Sequence, residues 1–212
     1  MSKENSMAGG VLDRATVRVL EAGCRRMWGF APRMIPHIVA RMGALGALGW
    51  FAGNMPRYLV SMKVLGHQRT HLAGMVISLY NGCLYCAYAH GHALELLYLR
   101  DRDRLFPLDA RTLEGWLGLP PRVLADRTQE VLREAGMQSE ALWVDTTLSL
   151  LRGDQQPVDG AELRLAHLVR MFGTMNRIAV EAGCTEPDQA QNPVNKDRAV
   201  KERNAALRAA RV

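Results

Sequence analysis

Little in this 212-residue sequence favours β-structure. Aromatic residues make up only 6%, and no stretch sustains the two-residue alternation of a half-buried strand. Alanine, leucine, methionine and glycine are plentiful instead, a composition that favours helices. Long apolar runs are also missing. The longest uncharged stretch, MGALGALGWFAGNMP (Met42–Pro56), is broken by four glycines and falls short of the ~20 residues needed to span a bilayer. It reads as a buried helix or a glycine-rich helix contact, so no membrane association is expected. No apolar segment follows a charged start, which leaves no secretory signal. There is neither a P-loop nor a dinucleotide fingerprint. Cysteines are scarce, four in all. The expected compartment is the cytoplasm, where a C-x-x-C pair is more often catalytic or metal-binding than a structural staple.

Charge is present in excess of one sign. The net charge is +6, and residues 195–212 hold six basic residues against two acidic ones. Such a balance reads as a solvated tail or a terminal helix. No basic segment is interleaved with aromatics, so nucleic acid is not an expected partner.

Helical spacing recurs along the chain: Val11–Met27, about Ile38–Phe51, Tyr58–Leu65, His67–Tyr80, Cys83–Leu99, about Arg122–Ala135, Glu140–Leu151 and Ala161–Ala182. Pro32 and Pro36 punctuate the early part, and GNMPR (Gly53–Arg57) reads as a turn. RDRDR at Arg100–Arg104 reads as an exposed connector. The expected fold is one all-α domain over residues 11–185. A disordered N-terminus (1–10) precedes it, and a polar basic tail (186–212) follows.

One stretch concentrates chemistry: NGCLYCAYAHGH, Asn81–His92. Asn81–Gly82 is a break signal, because both residues tolerate a left-handed backbone. If a helix starts at Cys83, Cys83 and Cys86 fall in its first turn. Free N–H groups and the helix dipole there favour a thiolate. Cys83, Cys86 and His90 then lie within about 60° of one another on one face. Two thiols beside a proton carrier suit thiol–disulfide exchange or peroxide reduction. His92 falls about 160° from His90 on a continuous helix. Four converging zinc ligands therefore require unwinding or ligands from elsewhere. A third possibility is that the cysteines are small buried core residues. No strand–helix alternation surrounds the pair, which argues against a thioredoxin-like unit.

RTHLAGMVISLYNGCLYCAYAHGHAL resembles the core motif of the alkylhydroperoxidase AhpD-like / carboxymuconolactone decarboxylase superfamily. Asn81, Cys83, Cys86 and His90 sit at that family's spacing, and Tyr85 is a common residue before its second cysteine. MFGTMNRIAVEAG (Met171–Gly183) looks like a later helix of the peroxidase-related branch, with its Asn176–Arg177 pair. The resemblance implies an AhpD-like helical bundle that forms dimers, trimers or hexamers. It implies a thiol peroxidase in which Cys86 attacks the hydroperoxide, Cys83 resolves the sulfenic acid, and His90 belongs to the proton relay. No bound cofactor or metal is implied. A dithiol such as dihydrolipoamide, or a redox partner protein, would supply electrons. The family's relay glutamate precedes the first cysteine by 12 residues, and here that position is His71. A histidine offers no permanent carboxylate, so the relay is altered. Glu95, about 140° from His90 around the helix, is a poor substitute.

Two alternatives remain at this stage. One is a decarboxylase-like lyase acting on a small lactone or keto acid, with His71 and His90 as acid and base. The other is a non-catalytic oligomeric or redox-sensing scaffold. Cys24 and Cys184 read as isolated thiols, and Arg69 as structural. His37 and His67 read as helix caps and His167 as core-facing. The methionines read as gap-filling core residues. Arg177 is expected at the mouth of the site only by resemblance.

Overall fold

The two most fully buried helices of this chain show almost no exposed face along their central turns, and that fixes the architecture. A computed structural model describes residues 10–186 and 188–210. The expected disordered N-terminus lies outside these, apart from Gly10. The helices are α1 (Val11–Trp28), α2 (Ile35–Met42), α3 (Ala44–Leu65), α4 (His67–Tyr80), α5 (Leu84–Arg102), α6 (Pro121–Glu134), α7 (Ala141–Arg152), α8 (Gly160–Glu181) and α9 (Arg198–Ala209). Short 3₁₀ turns lie at Ala110–Trp116, Gln138–Glu140 and Pro193–Lys196. No strand is found among the described residues, and the expected all-α class is seen. No helix among them is long and apolar enough to cross a membrane.

Every residue from Thr70 to Leu79 is buried, and so is all of Tyr85–Leu99 except His92. Helices buried on every face sit at the centre of a bundle. α4 and α5 accordingly pack on each other as the central pair, with α8 and α7 against α4 and the Ala110–Trp116 turn against α5. On one side of the pair, Met34, Ile35, Tyr58 and Phe172 enclose the two cysteines of α5's start. On the other, Leu72, Met75, Leu94, Tyr98, Phe106 and Leu132 form a second core.

Two boundaries differ from expectation. The Ile38–Phe51 helix and the GNMPR turn are absent. Gly43, at φ +72°, ends α2, and α3 then runs unbroken through Pro56. Proline removes one helical hydrogen bond, to the carbonyl four residues back. Pro56 and Ala52 both lie on the exposed side of α3, so that carbonyl faces solvent rather than the core.

Of the two readings of the C-terminal stretch, the terminal helix is the one seen, as α9, and the segment before it is docked rather than solvated. Ala190 and Val194 are buried against Leu96 and Leu97, and α9 packs on α5. Polar anchors reinforce this. Tyr85 donates from its hydroxyl to Asp188 at 2.9 Å. Asn195 donates to the Trp28 carbonyl at 2.8 Å. Arg208 reaches Glu95 at 2.8 Å and the Phe106 and Leu108 carbonyls at 2.9 and 2.6 Å.

Candidate active site

Cys83 is the N-cap of α5 rather than part of its first turn. Gly82, at φ +71°, turns the chain after α4, and the Cys83 sulfur accepts the Cys86 backbone N–H at 3.4 Å. The sulfur thus takes the capping role that a serine or aspartate oxygen usually fills. The Cys86 thiol also donates to Cys83, which is the chief cause of a Cys83 pKa below the usual thiol value. Burial opposes the shift, while the Cys86 backbone N–H and the Asn176 side chain assist it. Cys86 moves the other way, well up, because it is the donor of that pair, is buried, and feels the charge of Cys83. Of the two sulfurs, Cys83 is thus the one whose surroundings favour the thiolate.

Asn176 of α8 braces this end of the site. Its Oδ1 accepts from Asn81 at 3.0 Å and its Nδ2 donates to Ser78 at 3.1 Å. Ser78 donates in turn to the Gly74 carbonyl at 2.7 Å. Gly74 has a second role. A Cβ built there would lie 2.7 Å from the His90 ring, so only glycine lets that ring lie flat on α4.

His90, one turn after Cys86, packs on Phe172 with ring centroids 4.4 Å apart. Its Nδ1 meets Nδ1 of His71 at 3.0 Å. Both rings are buried, at 0 and 2% exposure for His71 and His90. Burial pushes His90 down to about 3. Burial, followed by the proximity of His90 and His67, holds His71 well below the usual imidazole range. Both are neutral at physiological pH. Behind them stands Asn192, 1% exposed. Its Nδ2 lies 2.8 Å from His71 Nε2 and 3.0 Å from His67 Nδ1, and its Oδ1 accepts from the Val194 N–H at 2.9 Å.

A narrow cavity of about 30 Å³ opens onto Cys86, His90 and Asn176. That holds about two waters. Its walls are Trp50, Phe51, Met55, Met171, Met175 and neighbouring apolar side chains. A larger ligand enters only if these flexible methionines and edge aromatics give way.

All four expected residues gather here, in two tiers. Cys86 and His90 line the cavity, whereas Cys83 and His71 stand behind them. Other expectations resolve differently. His92 turns to Glu95 at 2.9 Å and stacks on Tyr88. Among the described residues, no group of three His, Cys, Asp or Glu side chains converges as for a metal ion. Glu95 faces Arg208 and the Ala110 N–H, away from His90. Arg69 makes a two-pronged pair with Glu140 at 2.7 and 2.8 Å and lies over Trp143. His37 lies inside α2 and caps nothing, while His67 opens α4 and joins the Asn192 network. His167 is half-buried, with Nε2 on Asn54. Cys24 is buried, and burial pushes it up to about 12. Cys184 is less isolated than its sequence position suggests, for it packs on the cluster containing both motif cysteines. Arg177 is exposed on α8 and is not among the cavity's walls. Asn192 was missed altogether, because nothing local marks an asparagine that lies 121 residues from its partner.

Compared with protein-family models, with curated proteins and with solved structures, the chain matches none.

Proposed function

We propose that this protein is a thiol oxidoreductase that reduces small organic hydroperoxides through Cys86 and Cys83, as its resemblance to the AhpD-like superfamily implies. The observation that carries the reading is the polarised dithiol set into the wall of an apolar cavity. Cys86 faces the cavity, and Cys83 behind it is the stronger hydrogen-bond acceptor.

This polarity assigns roles. The Cys86 thiol passes its proton to the Cys83 sulfur, and the Cys86 thiolate attacks the terminal peroxide oxygen. The O–O bond breaks, Cys86 becomes a sulfenic acid, and the alkoxide takes the proton from Cys83 to leave as an alcohol. The Cys83 thiolate then attacks the Cys86 sulfur. The S–O bond breaks, and hydroxide leaves and is protonated by solvent. A dithiol such as dihydrolipoamide, or a redox partner protein, returns two electrons and two protons by thiol–disulfide exchange. The reading includes a homo-oligomer, supported by the exposed apolar residues Leu59, Val60 and Val64 on α3. The lyase alternative has less support, since His71 does not reach the cavity.

The test is hydroperoxide consumption by the reduced protein with dihydrolipoamide as reductant. The expected result is turnover that vanishes in Cys86→Ser. Cys83→Ser, which removes both the proton acceptor and the resolving thiol, is expected to slow peroxide consumption and to stop it at one equivalent, with a sulfenic acid on Cys86. Thiols that stay reduced under excess peroxide would refute the reading.

A further inference from the structure

The hydrogen bonds around His71 and His90 form a chain with only one consistent direction. It starts at a backbone amide, which can donate and nothing else. The Val194 N–H points at Asn192 Oδ1, 2.9 Å away. This fixes the amide: the oxygen faces Val194, and the NH₂ faces the two imidazoles. Its two hydrogens go to His67 Nδ1 at 3.0 Å and to His71 Nε2 at 2.8 Å. His71 Nε2 must then be a bare acceptor. A neutral imidazole carries one N–H, so the proton of His71 is on Nδ1. That N–H points at His90 Nδ1, 3.0 Å away, which must also be bare. The proton of His90 is therefore on Nε2, the ring nitrogen left over on a residue that lines the cavity.

We infer that Asn192 is a positioning residue that locks His71 as the Nδ1–H tautomer, so that His90 presents an Nε2–H donor, and not a base, to whatever occupies the cavity. A carboxylate at position 71 would impose the opposite direction. It would accept from His90 Nδ1–H and leave Nε2 as a proton acceptor. With histidine at 71 and Asn192 behind it, the ring that sequence spacing marks as a proton shuttle is a hydrogen-bond donor. The thiol proton consequently travels to Cys83, and His90 steadies the departing alkoxide oxygen, as a fixed donor aimed at developing negative charge does. The second half of this inference rests on the proposed peroxide chemistry. The tautomers do not, since they belong to the resting protein.

The experiment is a two-bond ¹H–¹⁵N correlation spectrum of the reduced full-length protein, labelled with ¹⁵N-histidine, at neutral pH. Single His→Gln variants assign the rings. The expected spectrum shows His90 protonated on Nε2 and His71 protonated on Nδ1. A His90 protonated on Nδ1 with Nε2 bare would overturn the inference, whether or not the protein consumes peroxide. Asn192→Asp replaces the donor with an acceptor and keeps the Val194 contact. It is expected to place a proton on His71 Nε2, a change that loosened packing would not produce. If Asn192→Asp folds and His71 Nε2 stays bare, Asn192 is not the lock. If that variant does not fold, the wild-type spectrum decides alone. A spectrum as expected from a protein without peroxide turnover would sink the proposed function and leave the tautomer lock standing.

Discussion

His90 and His92 are two residues apart on one helix, and both have an ionisable or polar partner, yet they sit in opposite kinds of environment. His92 belongs to the half of α5 around Glu95. There a buried carboxylate receives the Ala110 N–H, the Arg208 guanidinium and His92. These donors engage both of its oxygens, and it holds the C-terminal helix in place beside a polar groove lined by Asp109, Arg111, Lys201 and Asn204. His90 belongs to the half around Cys86. There the polar chains end at a cavity, with one sulfur rich in donors and the other poor in them. On the Glu95 side a carboxylate with a donor on each oxygen ties elements together beside a polar groove, whereas on the Cys86 side a thiol and a neutral imidazole line an apolar cavity. The difference lies in the surroundings each histidine is given rather than in residue type.

The largest expected effect is on the Cys86 half: Cys86→Ser removes hydroperoxide turnover to background. If turnover survives, the comparison fails at its reactive end. Next, breaking the Glu95 half by Arg208→Ala leaves Glu95 without its arginine and costs about 3 kcal/mol. The urea midpoint measures this, and full reduction of the site thiols by dithiothreitol is expected to persist. Acid separates the halves further. His90 and His71 have pKa values depressed on folding, so the unfolded chain binds more protons than the native one below about 6.5. Their contribution is fully present above that pH and is lost as pH falls toward 3, by up to a few kcal/mol. Urea midpoints from pH 7 to 4 should fall steeply, and less so in His90→Gln. Asn176→Ala should cost about 1–3 kcal/mol through the acceptors and donors it orphans. It should also raise the Cys83 thiol, seen in ultraviolet thiolate titration. The smallest effect is expected for His92→Ala, about 0.5–1 kcal/mol, because Glu95 keeps its other two donors.

Helix geometry alone placed Cys83, Cys86 and His90 on one face, since residues within two turns are positioned by the helix itself. It also turned His92 and Glu95 away from His90. What local spacing could not reach is the second tier. Asn176 and Asn192 come to the site over 95 and 121 residues, and an asparagine carries no signal of where its amide will dock. The missed course of α3 has a similar origin. Whether Pro56 breaks a helix depends on which way the bereft carbonyl faces, and only the tertiary packing decides that. In the C-terminal stretch the charge balance suits the terminal helix α9 but hides the docking of the segment before it. Its few apolar residues, Ala190 and Val194, are the ones that dock.

The long reach of Asn192 has a consequence in time. His71 leaves the ribosome 121 residues before Asn192 does, which is about ten seconds at ordinary synthesis rates. During that interval the central helices can form and bury both cysteines, but nothing dictates which imidazole nitrogen holds the proton. The direction of the histidine pair is settled only when almost the whole chain has been made, so a nascent or truncated copy carries the same residues in an undecided state.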